Sequence, residues 1–263
     1  MPTSTRTDVP RAAAAGPAPA AARTRLLPTA RVRAELRGTR TVLRDLRPAT
    51  PWAPRPLPSN PSGGGQAVVA LVQTAATLVS GDDCAIELEL GPGAALTVIE
   101  TGATVAHHVR GGPSARLRVR IALGAGARLE WLARPLVLAA GCDLRRTTTV
   151  ELADGARALL RETVVLGRSG ERPGRLSATL RASCAGRPLL HERLDTSDPA
   201  LLRSPVVAAD AGTLDAVLLL GARGADLPGS TQLAGPGTLW RALHPRGADP
   251  DGPALAVARA WSE

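Results

Sequence analysis

A glycine-headed turn followed by an alternating apolar segment recurs along this chain. GAALTVIETG begins at Gly93, GARLEWLARP at Gly126, GARALLRETV at Gly155 and a weaker relative, GRPLLHERL, at Gly186, in steps of 33, 29 and 31 residues. A period of that length marks supersecondary units that bury their apolar faces by stacking on one another. Between the corners the side chains alternate with period two. Ile86, Leu88 and Leu90 alternate with Glu87 and Glu89, and Leu117, Val119, Ile121 and Leu123 alternate with Arg118, Arg120 and Ala122. Period two belongs to strands, not helices. The expected fold is therefore all-β, a β-helix-like stack of strand-turn-strand layers with Gly93, Gly126, Gly155 and Gly186 as structural turns. Four separate hairpins that share a favoured glycine turn would give the same pattern.

The flanks are less regular. Residues 31–46 alternate around Gly38 and predict a hairpin. Residues 48–65, PATPWAPRPLPSNPSGGG, are so rich in proline and glycine that an exposed loop is expected. Residues 195–205 read as loop and AGTLDAVLLLG as one more strand. Two short helices are expected in the C-terminal segment 238–262, one starting in TLWRALHPRG and stopped by Pro245, the other over DGPALAVARAW with Asp251 or Gly252 as cap and Pro253 in its first turn. The domain reading is a disordered Arg/Ala/Pro-rich tail over 1–30 and one β-rich domain over 31–263.

Composition narrows the function. Phe and Tyr are absent, so the core must be built from Leu, Val and Ala with four Trp as the bulky anchors. The net charge of +9 would suit an anionic partner. Yet every basic residue is Arg, six of them fall in the first 34 residues, and no Phe or Tyr offers a base-stacking platform, so nucleic acid is not the expected partner. No apolar run approaches the ~18 residues of a membrane span, and no membrane association is expected. Cys84, Cys142 and Cys184 are isolated and odd in number, which argues against a disulfide framework or structural zinc and fits a reducing cytoplasm.

The motifs of the common enzyme classes are missing: no GxSxG elbow, no HExxH, and no lysine with which to complete a P-loop. Absence of a motif is not absence of activity, but four His in 263 residues leave few general bases. The unusual feature is acidic. Glu100 has the parity of Leu96 and Val98, Glu162 that of Leu160 and Val164, and Glu192 that of Leu190 and Leu194, so period two turns all three carboxylates toward the apolar face. Glu100 and Glu162 each lie seven residues beyond their glycine, which in a stack places them in one row. An inward carboxylate is costly unless paired, hydrated or metal-bound. Pairing with one of the many Arg is one reading, and a polar, water-filled path through the apolar interior is the other. Glu130 has the opposite parity to Leu129 and Trp131 and is expected at the surface or in an interface. His107 and His108 are candidate metal ligands by residue type, but neighbours in a strand face opposite sides and do not share an ion without a bend. A solvated loop pair is the plainer account of them.

Read together and in order, LVSGDD, IELELGPGAALTV, TGATV, LRVRIALGAGARLEWL, TTTVELADGARALLRETVVLGRSGE, GRL and GRPLLHERL resemble the urease accessory protein family UreD (UreH), in its short, Arg-rich actinobacterial form, from about Leu78 to Gly221. The resemblance implies a non-enzymatic scaffold with a β-helix-like fold and two helices. It also implies binding to UreF, through it to UreG, and to apo-urease, so that nickel reaches the urease active site. A water-filled nickel passage implied by the family would carry transient Ni2+ with no permanently bound cofactor, and Glu162 stands where relatives carry an acid before LGR. A passage must release its ion, which suits carboxylates and water better than thiolates. This chain departs from the family at ATVAHHVR, where ATKVYR is common, at LEWLARP, where LEWLPQE is common, and at Gln73, which stands in place of a histidine. The alternatives are an assembly chaperone that opens apo-urease without carrying metal, and a β-solenoid binding protein unrelated to urease.

Overall fold

A computed structural model describes residues 29–58, 65–76, 78–205, 207–249 and 251–262. In chain order its elements are β1 (Thr29–Arg37), β2 (Arg40–Arg47), β3 (Trp52–Leu57), β4 (Ala67–Gln73), β5 (Asp83–Leu90), β6 (Ala95–Glu100), β7 (Thr104–Ala106), β8 (Ala115–Leu123), β9 (Arg128–Leu132), β10 (Leu136–Leu138), β11 (Asp143–Leu152) and β12 (Arg157–Val165). They continue with β13 (Arg175–Cys184), β14 (Arg187–Asp195), α1 (Pro199–Arg203), β15 (Thr213–Leu220), β16 (Ser230–Gln232), β17 (Gly237–His244) and α2 (Asp251–Ser262).

The strands form two facing sheets. One runs β14-β13-β11-β8-β5-β1-β2 and the other β16-β17-β15-β12-β9-β6-β4-β3. Three successive layers, β5 to β6, β8 to β9 and β11 to β12, cross from the first sheet to the second through a glycine corner, and equivalent strands pair in parallel. This is a β-solenoid-like stack. Each corner repeats one device: Gly93, Gly126 and Gly155 take positive φ, and the alanine that follows, Ala94, Ala127 or Ala156, is fully buried inside the bend. The corners are themselves stacked by hydrogen bonds, with Gly93 N donating to Ala125 O at 2.8 Å and Gly126 N to Asp154 O at 2.9 Å.

The Gly186 corner differs. Ala185 and Gly186 both take positive φ, at 50° and 73°. Two such residues in succession make the tight hairpin turn whose twist matches antiparallel strands. The residue after the glycine is Arg187, which is exposed and cannot fill a buried bend. β14 therefore folds back on β13 within the same sheet instead of crossing to the other.

Three further expectations are corrected. Within 48–65, Trp52–Leu57 is a strand, not a loop; it lies at the end of the second sheet, where only one neighbour, β4, needs its hydrogen-bonding groups, so Pro54 and Pro56 are tolerated. Residues 59–64 lie outside the described residues. TLWRALH is a strand along its whole length, because β15 already pairs with β12 on one side and takes β17 on the other. DPALLR, read as loop, forms the short helix α1, capped by Asp198, whose carboxylate accepts from Ala200 N at 2.7 Å. The expected tail lies outside the described residues except Thr29 and Ala30, which begin β1.

The main core fills the space between the sheets with Leu, Val, Ile and Ala, plus Trp52 and Trp131. A second cluster lies on the outer face of the second sheet. There α2 presents Ala254, Val257, Ala258 and Trp261, one helical face, to Leu159, Val217, Leu219 and Trp240. No helix among the described residues is long and apolar enough to cross a membrane.

Candidate functional site

All three inward acids face the space between the sheets. Glu100, Glu162 and Glu192 are half-buried. A narrow cavity of about 50 Å³ in the centre of the stack has Glu100, Trp131, Arg134, Arg146, Thr148 and Glu162 on its walls, among Leu, Val and Ile side chains. Such a space admits on the order of a few water molecules, each of which needs two to four polar partners. A wider cavity of about 430 Å³ lies between β13 and β14 on one side and β12, β15 and β17 on the other. Its walls carry Arg146, Thr148 and Glu162 again, then Glu192 and Arg241. Arg146, Thr148 and Glu162 thus line both cavities. The wider one reaches exposed Arg193 and Leu243, the narrower one the half-exposed side chain of Arg134.

Each acid is held differently. Glu100 ends β6 at the break between β9 and β10, where its two oxygens accept from Trp131 Nε1 at 3.0 Å and Arg134 N at 2.9 Å. It thereby supplies a partner to the backbone N–H of Arg134, which lies between the two strands, and to the indole N–H of Trp131. Burial pushes its carboxyl above the usual carboxylate range, and the hydrogen bonds from Arg134 and Trp131 oppose that rise. Glu162 accepts from Arg146 Nη2 at 2.6 Å, and Glu192 is paired with Arg241. Along the two cavities the acidic row is therefore interleaved with guanidinium groups.

Arg146 does not stand out in the sequence, although a signal is present. It shares the parity of Leu144, Thr148 and Val150 and so points inward. A second missed cluster lies on the outer face beneath the start of α2. Arg161, 3% exposed, donates from Nε and Nη2 to the two oxygens of Asp215 at 3.1 and 3.0 Å and from Nη1 to Asp251 at 2.6 Å. Thr163 Oγ1 donates to Asp215 at 2.7 Å, and His244 Nε2 lies 3.7 Å from it. Burial disfavours the Arg161 charge, but the bonds to Asp215 and Asp251 outweigh that and raise its pKa. This cluster ties α2 to the second sheet.

The histidines lie elsewhere. His107 is half-buried and His108 exposed; His108 forms a β-bridge with Cys142, and its Nδ1 accepts from Arg110 N at 2.7 Å. Neither lines the two cavities that carry the acids. Among the described residues no group of three or more His, Cys, Asp or Glu is placed to hold a metal ion. Cys84 and Cys142 are buried thiols that burial pushes up to about 12 and about 11, which keeps them protonated and poor as ligands. Glu130, expected at the surface or in an interface, is half-buried on the outer face in a cavity shared with Arg128, Arg157 and Trp261, and burial raises its pKa.

Comparison with known proteins places this geometry in a family. A family model described as UreD urease accessory protein matches residues 28–256. Urease accessory protein UreD 1 of Streptomyces griseus is 43% identical over 218 residues, covering 82% of each chain. UreD 1 of Saccharopolyspora erythraea is 40% identical over 190 residues, 72% of this chain and 74% of its own. The UreD protein of a Parafrankia species is 34% identical over 263 aligned positions, 88% of this chain and 87% of its own.

Proposed function

Given that the chain belongs to the UreD urease accessory protein family, we propose that it is a urease maturation factor of the cytoplasm. It is a non-enzymatic scaffold required for nickel insertion into apo-urease, acting in a complex with UreF and, through UreF, with UreG. Nickel is its cargo. Ni2+ moves through the space between the sheets by passing from carboxylate to carboxylate. The observation that carries the passage is the position of Glu162 on the walls of two cavities, one of which is also lined by Glu100 and the other by Glu192. Half-buried carboxylates offer hard oxygen ligands that bind a divalent cation without the grip of thiolates. Deleting the protein while keeping urease expressed should leave urease poor in nickel and inactive; normal nickel content would refute the role.

A second reading also has an observation behind it. Each acid already has partners, Glu162 and Glu192 in arginine pairs and Glu100 in two N–H bonds. That favours an assembly chaperone that opens apo-urease without carrying metal. Glu162→Gln separates the two. The passage reading expects impaired urease activation with the partner complex intact, and the chaperone reading expects no change. Family membership leaves a binding protein unrelated to urease without support.

A further inference from the structure

Arg146 and Arg161 are both largely buried arginines, with side chains 15% and 3% exposed, and they are held in opposite ways. Arg161 is locked: Nε, Nη1 and Nη2 all donate to carboxylates, in a fork on Asp215 plus a bond to Asp251. Among the described residues Arg146 makes one side-chain hydrogen bond, Nη2 to Glu162 Oε1 at 2.6 Å, and its buried Nε has no hydrogen-bond partner there. A buried guanidinium with an unmet donor is held by charge and not by a geometric fork. Its long side chain can leave the carboxylate by rotation, with fewer bonds to break than a clamped arginine has.

The position of this loosely held cation matters. Arg146 and Glu162, with Thr148, line both cavities, so the pair stands on the wall that the two have in common. With Arg146 in place the pair is neutral, and a divalent cation arriving from the wide cavity finds no free charge on Glu162. The guanidinium and the metal ion compete for one carboxylate.

We propose that Arg146 is the gate of the passage, a built-in counter-cation that occupies Glu162 at rest and must release it before Ni2+ can cross from one cavity to the other. This rests on the passage reading above, of which it names the regulation. It also accounts for an inward guanidinium in a row of acids, because a permanently free carboxylate would retain the metal.

Titration of the purified full-length protein with Ni2+, in complex with its partners if it needs them for solubility, tests the gate. Arg146→Met should bind Ni2+ at least tenfold more tightly than the parent, and Arg146→Met/Glu162→Gln should lose that gain. Loss of a merely structural arginine would not raise metal affinity. Arg146→Gln, which can still donate to Glu162 but carries no charge, should behave as Arg146→Met does and carries the test if the Met variant does not fold. A folded Arg146 variant that binds Ni2+ no more tightly than the parent overturns the gate. If that result is accompanied by impaired urease activation in Glu162→Gln, only the gate falls; if Glu162→Gln is also without effect, the passage falls with it.

Discussion

Removing Asp215 should be among the most damaging single changes in this protein. The side chain of Asp215 is fully buried and that of Arg161 is 3% exposed. Asp215→Ala leaves the guanidinium with Asp251 alone, itself 31% exposed, and strips Thr163 of its acceptor. Breaking a buried pair from one side costs about 3–5 kcal/mol, because the remaining charge is stranded. Domains of this kind are stable by about 5–15 kcal/mol in total. At about 2–4 °C per kcal/mol for a chain of this size, the melting temperature should fall by roughly 10 °C. The double variant Arg161→Met/Asp215→Leu exchanges the pair for apolar groups and should recover most of the loss, since such replacements are often neutral. Urea and thermal denaturation followed by circular dichroism measure both. If Asp215→Ala cost under about 1 kcal/mol, or the double variant were as unstable as the single, the buried network would not be what anchors α2.

Other outcomes follow from the same geometry. Because the Glu100 carboxyl titrates above its ordinary value of 4.5 in the folded state, the native protein binds that proton more tightly than the unfolded chain does. The stability it contributes is full below the ordinary value and lost as pH rises toward the raised one; urea denaturation across this range should show the decline in the parent and not in Glu100→Gln, and parallel profiles would contradict the assignment. A Cβ on Gly126 meets open space, so Gly126→Ala should cost only the left-handed backbone penalty, about 1–2 kcal/mol. On Gly221 a Cβ collides with the Ala156 carbonyl, so Gly221→Ala should be clearly worse in the same melts, and equal costs would mean the corner is misplaced. Cys84 and Cys142, buried and protonated, should resist iodoacetamide at pH 8 in the native protein while half-exposed Cys184 is alkylated first, as mass spectrometry would report.

Much of this was legible before any coordinates. Period two and the glycine corners identify the stacked strands because both are local: an alternating segment has one apolar face, and a corner with positive φ favours glycine. The inward turn of Glu100, Glu162 and Glu192 follows from the same parity. What eluded the sequence depends on neighbours distant in the chain. Asp215 lies 54 residues from Arg161, and its role as a buried partner appears only when β12 and β15 pair. Arg146 carries the right parity, but an arginine beside a second arginine reads as a solvated face until the facing sheet supplies Glu162. TLWRALH has the composition of a helix and is a strand because β15 has an open side. The Gly186 corner resembles the other three in sequence, and only Arg187 in place of a buried alanine marks it as a hairpin.

The nickel content of urease matured in cells that carry Glu162→Gln, with the partner complex confirmed by co-purification, tests the passage most directly. A nickel passage through Glu162 requires assembled urease with clearly less nickel per active site than the parent strain gives. Urease fully loaded with nickel would contradict it.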